Sequence, residues 1–205
     1  MADNSNLNEG RTAARRLDGK VAVVVGAGQS PGEGLGNGRA AALRFAREGA
    51  RVFAVDRRLE SAEETASLIR GEGLDCVAFA ADVTHEAELA AAMAAAHARW
   101  GALDILHNNV GVSLAGGDAD IADITEEAFD NICRINLRGT VLACKHALAF
   151  MRKQRSGAIV NISSAAAVGR YPYVAYKATK AGITALTEQL ALQYADRKST
   201  RLNFS

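Results

Sequence analysis

Short apolar runs alternate along this chain with longer stretches of helical period. Residues 20–25 (KVAVVV) form a near-continuous β-branched run, the pattern of a strand buried on both faces. Gly-rich sequence follows from Gly26 to Gly38. Residues 39–48 are Ala-rich with helical period, and Gly49 stops them. Residues 51–55 predict a second strand closed by Asp56, 60–70 a helix, and 75–80 a third strand. Thr84 is placed to cap a helix over 85–99, and 103–107 predict a fourth strand. Thr125 caps one long helix over 126–152, with Glu126 and Glu127 in its first turn. Residues 158–163 predict a fifth strand and 173–195 the next helix.

Strand and helix in strict alternation mean right-handed crossovers and a parallel sheet covered on both faces. The expected fold is a single α/β, doubly wound Rossmann domain over 17–195. Such sheets bind ligands at the carboxyl ends of their strands. Gly26 to Gly38, Asp56, Asp82, Asn108-Asn109 and Ser163-Ser164 each follow a predicted strand, so five loops bring polar or Gly residues to one edge.

Composition narrows the function. The chain has 205 residues, 49% of them apolar, enough for one substantial core. Its net charge of +1, with acids and bases interspersed, gives no reason to expect nucleic acid or a membrane surface as partner. No apolar run is long enough to span a bilayer, and the polar first sixteen residues lack a secretory apolar region. Residues 1–16 read as a mobile tail, and the expected location is cytoplasmic. Cys76, Cys133 and Cys144 read as free thiols. The four His have no ligand spacing, so no metal is expected.

Tyr176 and Lys180 carry the sharpest chemical signal. Four residues apart on a helix, they share a face, which holds an ammonium near a phenol. A phenol loses its proton near pH ~10 and a neighbouring cation lowers that value. A Tyr so placed can exchange protons near neutral pH. The Gly-rich turn supplies the second signal. Glycines let backbone approach a pyrophosphate, and the following helix offers amide donors. No Lys-Ser or Lys-Thr follows, which disfavours a nucleotide-triphosphate loop. Asp56, eighteen residues past Gly38, can accept from both adenosine ribose hydroxyls and repel a 2′-phosphate. That favours NAD, with NADP left open because Arg57 and Arg58 adjoin it.

Together these residues resemble the short-chain dehydrogenase/reductase family across about 17–195. The Gly-rich turn, Asp56, Asp82-Val83, Asn108-Asn109-Val110-Gly111, Asn136, the Asn161-Ile162-Ser163-Ser164 strand end, and Tyr176 with Lys180 carry the match. The resemblance implies a nicotinamide-dependent oxidoreductase acting on a small alcohol or ketone. It implies Tyr176 as proton donor or acceptor and Lys180 as its partner, holding the nicotinamide ribose. It further implies a strand-end Ser that polarises the substrate oxygen, and Asn136 as interrupter of its helix and holder of a relay water. Counting from the strand selects Ser164; counting back thirteen residues from Tyr176 selects Ser163. The strand is the firmer anchor, because loops absorb deletions more easily. The cofactor contacts it implies are Gly26, Gly36, Gly38, Asp56, Asp82, Val83, Asn109, Gly111, Tyr176 and Lys180. The family pairs its fourth and fifth long helical faces in tetramers, so a homo-oligomer is expected.

Three departures stand out. Val25 replaces the usual Thr, the Gly-rich turn carries about six extra residues, and the sequence after Ala195 leaves the family pattern; Val110 in place of Ala is a minor change. Residues 196–205 (DRKSTRLNFS) show neither alternation nor an apolar run. They read as a foreign tail on a truncated frame, with the C-terminal strands missing and an open sheet edge. Two alternatives follow: a dinucleotide-binding fragment without turnover, or an interaction protein on a Rossmann scaffold.

Overall fold

A computed structural model describes residues 15–29, 32, 34–195 and 201–204. Six parallel strands run β1 Val21–Val25, β2 Arg51–Asp56, β3 Cys76–Ala80, β4 Ile105–Asn108, β5 Ser156–Asn161 and β6 Arg201–Phe204. Their order across the sheet is 3-2-1-4-5-6. The helices are α1 Asn37–Arg47, α2 Leu59–Gly71, α3 Glu86–Trp100, α4 Glu126–Cys133, α5 Gly139–Gln154 and α6 Val174–Ala195. Strand order reverses direction at β1, between β2 and β4, and this is where a doubly wound sheet opens a ligand crevice.

Alternation along β1 shows how two apolar layers are built from one run. Val23 and Val25 pack with Leu89, Met93, Ala143 and Met151 of α3 and α5. Val24 points the other way, onto Ala42 and Ala46 of α1 and Ala66 and Ile69 of α2. All five β1 side chains are buried, as a central parallel strand requires.

Four expectations need correction. The single helix over 126–152 is two, α4 and α5, joined by a π-helical turn at Arg134–Arg138 that contains Asn136. A π turn lets the Asn136 side chain leave the regular ladder to pair with loop backbone. Thr84 does not cap α3. His85 holds the cap position without a side-chain bond, because the Thr84 amide is already turned onto Asp82 Oδ1 (2.8 Å). Arg16, expected in a mobile tail, is tied to the end of α1: it donates to Glu48 through its amide (3.2 Å) and its guanidinium (3.0 Å). Residues 1–14 of the expected tail lie outside the described residues.

The fourth correction concerns the sheet edge. Arg201–Phe204, given no strand pattern by its side chains, pairs in parallel with β5 from Ser156↔Arg201 to Ile159↔Phe204. The outer edge of β5 offers a row of amides and carbonyls that any extended segment can pair, whatever its side chains. Residues 196–200 and 205 lie outside the described residues.

Candidate functional site

The Gly-rich turn leaves β1 through Gly26, whose φ of +82° suits glycine. A Cβ on Gly26 would meet Val110 Cγ2 at 2.8 Å. A Cβ on Gly38 would lie 1.8 Å from Gly26 O and 2.7 Å from Asn109 Nδ2. The turn, the start of α1 and the loop after β4 are therefore in backbone contact. Asn109 ties them by donating to Gly26 O (3.2 Å). Gly36 is the N-cap residue of α1, and its amide donates to Gln29 Oε1 (2.7 Å). Gln29 Nε2 in turn donates to Gly34 O (3.1 Å), so one side chain closes the lengthened turn.

Asp56, at the end of β2, is half-buried. Its Oδ2 accepts from the Gly28 amide (3.1 Å) and its Oδ1 from the Arg58 amide (3.1 Å). A Cβ on Gly28 would sit 2.6 Å from that Oδ2, so only glycine lets the turn lie on the carboxylate. The Arg58 guanidinium donates to Gln29 O (2.7 Å), which commits it to the turn. Asp82 accepts from Thr84. Desolvation, the largest influence on its carboxyl, pulls the pKa upward, but the Thr84 bonds and nearby His85 and Arg57 leave it lowered. Val83 is buried, and its side chain lies against Gly139 rather than in the crevice.

The second cluster gathers around α6. Lys180 is 2% exposed and its Nζ donates to Ile162 O (2.7 Å). The same Nζ stands 5.5 Å from the centre of the Tyr176 ring. Burial lowers its pKa to about 8. A Cβ on Gly111 would lie 3.1 Å from this Nζ and 3.8 Å from Asn136 Oδ1. Gly111 thus separates the ammonium from the carboxamide by the width of a backbone. Asn136, fully buried, accepts from the Val112 amide (2.8 Å) and donates to Val112 O (2.8 Å) and Thr179 Oγ1 (3.1 Å).

The two serines are held differently. Ser163 Oγ donates to Lys180 O (3.0 Å) and pairs with Thr184 Oγ1 (2.9 Å), so it is engaged with α6. Ser164 Oγ accepts from the Ala166 amide (3.1 Å) and keeps its own proton for another acceptor. Both follow β5, which ends two residues earlier than expected, at Asn161.

Sequence reasoning missed Asp118. Its buried carboxylate accepts from the amides of Ala175 (3.0 Å) and Tyr176 (2.9 Å), and from Ser113 Oγ (3.1 Å). An acid in a Gly-rich loop has no fixed spacing to the helix it serves 57 residues on. Asn108 and Asn161 were read only as motif letters. They pair with each other (2.8 Å) beside Cys144, joining β4 to β5 beneath the site.

A separate groove of about 1010 Å³ lies along α4 and α5, lined by Thr125, Ala128, Asn131, Cys133, Leu137 and Val141 among others. Among the described residues no group of His, Cys, Asp and Glu could hold a metal ion. Among them, too, no helix is long and apolar enough to cross a membrane.

The strand order, the glycine cradle at the crevice and the polar set on α6 define a doubly wound Rossmann domain with a site at its carboxyl edge. The chain belongs to the short chain dehydrogenase family, whose profile matches residues 20–203. It is 38% identical over 179 residues to the 2-(R)-hydroxypropyl-CoM dehydrogenase of Xanthobacter autotrophicus, covering 86% of this chain and 69% of that protein. It is 38% identical over 183 residues to the D-threitol dehydrogenase of Mycolicibacterium smegmatis, covering 89% and 67%. A crystal structure from Burkholderia xenovorans, described as a short-chain dehydrogenase/reductase, superposes with a TM-score of 0.85 at 41% identity, covering 92% of this chain and 74% of that one. The chain thus spans about two thirds of the length of these curated relatives. Membership makes it an oxidoreductase acting on alcohols or carbonyls, with a nicotinamide cofactor implied by the family.

Proposed function

We propose that this protein oxidises a secondary alcohol or reduces the matching ketone with NAD, and that Tyr176, Lys180, Ser164 and Asn136 are its working residues. The observation that carries this reading is the Lys180 ammonium, buried and held within 5.5 Å of the Tyr176 ring. Burying an amine is costly unless it serves a purpose. Positive charge beside a phenol stabilises the negative charge that develops on its oxygen as the proton leaves. Tyr176 then takes the proton of a substrate hydroxyl, or returns it to a carbonyl. Ser164 donates to the same substrate oxygen and orients it.

The residues present fit a dinucleotide. Gly26, Gly28 and Gly38 let the turn fold tightly onto Val110, Asp56 and the Gly26 carbonyl, where a Cβ would collide, and the start of α1 then offers amides for a diphosphate. We assign Gly36, Asn109 and Gly111 to the same cofactor site, and Asp82 and Val83 to its adenine side. When bound, the nicotinamide supplies or accepts the hydride. Asp56 favours NAD: its charge opposes a 2′-phosphate, and Arg58 is bonded to Gln29 O instead of being turned outward. Polyols are sensible first substrates, because a relative at 38% identity is a D-threitol dehydrogenase. We further read the protein as a homo-oligomer that works in the cytoplasm.

Replacing Tyr176 by Phe is expected to abolish turnover of 2-propanol, 2,3-butanediol or threitol while NADH binding, followed by fluorescence, persists. Unchanged turnover in Tyr176→Phe sinks the assignment. NADH binding with no oxidation of any alcohol in such a panel would instead select dinucleotide binding without turnover.

A further inference from the structure

We infer that Asp118 is a positioning residue for Tyr176, acting through the first turn of α6; this rests on the catalytic role proposed for Tyr176. Asp118 lies in the loop after β4, far in sequence from α6, yet its carboxylate is spent on that helix. Oδ1 accepts from the Ala175 amide (3.0 Å) and Oδ2 from the Tyr176 amide (2.9 Å). The adjacent carbonyl of Ala119 accepts from the Val174 amide (3.1 Å). The first three amides of α6 are thereby satisfied by one short loop segment. Helix N-terminal amides otherwise lack partners, and a carboxylate is the acceptor they favour most.

The grip extends to the ring itself. Ser113 Oγ donates to Asp118 Oδ2 (3.1 Å) and lies 3.0 Å from the Tyr171 hydroxyl. The Tyr171 ring is tilted against the Tyr176 ring, with centroids 5.3 Å apart. Asp118 therefore reaches Tyr176 twice, through its backbone amide and through Ser113 and Tyr171 to the face of its ring. Lys180 Nζ also stands 5.5 Å from the centre of this ring. The phenol thus neighbours both a buried amine and an aromatic ring, and the carboxylate ties that ring and the helix start to one loop. Loss of that tie lets the phenol drift relative to a substrate oxygen, and displacements near 1 Å can cost roughly 100-fold in rate.

The test compares Asp118→Ala, Asp118→Asn and Ser113→Ala in the full chain, with NAD and whichever secondary alcohol the unaltered protein oxidises fastest. Asp118→Ala is expected to lower kcat about 10- to 100-fold, leaving substrate KM and the NADH dissociation constant within about threefold. Asp118→Asn, which keeps the shape and one acceptor oxygen, falls between, and Ser113→Ala loses less than either. A wild-type kcat in both Asp118 variants overturns the inference, as does a matched loss in kcat, KM and NADH affinity, the signature of mere unfolding. If Asp118→Ala does not fold, Asp118→Asn decides by the same criteria. A readout independent of turnover is fluorine NMR of the chain labelled with 3-fluorotyrosine, its Tyr176 signal assigned by loss in Tyr176→Phe. That signal is expected to shift or broaden in Asp118→Asn; an unmoved signal overturns the inference. An unaltered chain that oxidises nothing, or a Tyr176→Phe variant that still does, counts against the catalytic reading, and the fluorine spectrum still judges the contact.

Discussion

The two halves of the sheet use polar atoms in opposite ways. The half built from β1 to α3 carries the glycine turn and Asp56, and among its described residues only Ser61 and Thr65 are buried polar side chains. The half built from β4 to α6 buries His107, Asn108, Asp118, Asn136, Thr140, Asn161, Thr179 and Lys180. A phosphate needs only backbone amides and an open approach, so the first half is shaped by missing side chains. The proton transfer proposed above would need an amine, a phenol and a hydroxyl in fixed relation, and the second half surrounds Lys180 and Asn136 with buried hydrogen bonds. Each such bond contributes little in net terms but is expensive to break from one side.

The comparison breaks most visibly at its two strictest positions. In the first half, Gly38→Ala drives a methyl into Gly26 O, backbone against backbone, with no rotamer to relieve it. We expect destabilisation above about 4 kcal/mol in urea titration, with NADH affinity lost more than tenfold. Gly71→Ala is the control: nothing lies within 4 Å of its Cβ, and stability should barely change. In the second half, Asn136→Ala strands both the amide and the carbonyl of Val112 and is expected to cost about 2–4 kcal/mol. A cost below about 1 kcal/mol would show that the buried network is not what fixes the half that holds Tyr176 and Lys180.

His107 sharpens the contrast by pH. Among the described residues its Nδ1 has no partner, its ring meets the edge of Phe45, and burial lowers its pKa from 6.5 to about 4. The unfolded chain therefore takes up this proton first as pH falls. Stability is whole above pH 6.5 and declines toward pH 4, by up to about 3 kcal/mol for the shift of roughly 2.5 units. His107→Gln should flatten the pH dependence of urea unfolding across that window. Glu48, lowered to about 2 chiefly by its hydrogen bond to Arg16, titrates in a window below it and leaves the comparison clean.

How much of this was legible depended on whether the signal was local. The order of strands and helices followed from apolar runs, because a buried parallel strand must be apolar on both faces. Tyr176 and Lys180 were legible because a helix fixes the relation of residues four apart. The glycine turn showed through its composition. The break at Asn136 did not show as a π turn, because its cause is the Val112 backbone, 24 residues away. Asp118 escaped for the same reason. That Ser163 is bonded to Thr184 and Ser164 to Ala166 is something no count of residues reveals. β6 formed without a pattern because pairing at an edge is a property of backbone.

The smallest expected effect separates two threonines that look alike in sequence. Each precedes a helical run, one in each half. Thr125 is a working cap: its backbone is extended (φ −85°, ψ 153°), and its Oγ1 accepts from the Ala128 amide (3.1 Å) at the start of α4. Thr84 stands one residue too early. Asp82 has captured its amide, closing a tight turn that hands the cap position to His85, which makes no side-chain bond. A side chain that caps is worth about 1 kcal/mol. Thr125→Ala should therefore lower stability by about that much, whereas Thr84→Ala should stay within about 0.5 kcal/mol, read as urea midpoints at constant slope. Equal losses at the two sites would mean that the Thr84 hydroxyl supports the Asp82 turn as strongly as Thr125 supports its helix.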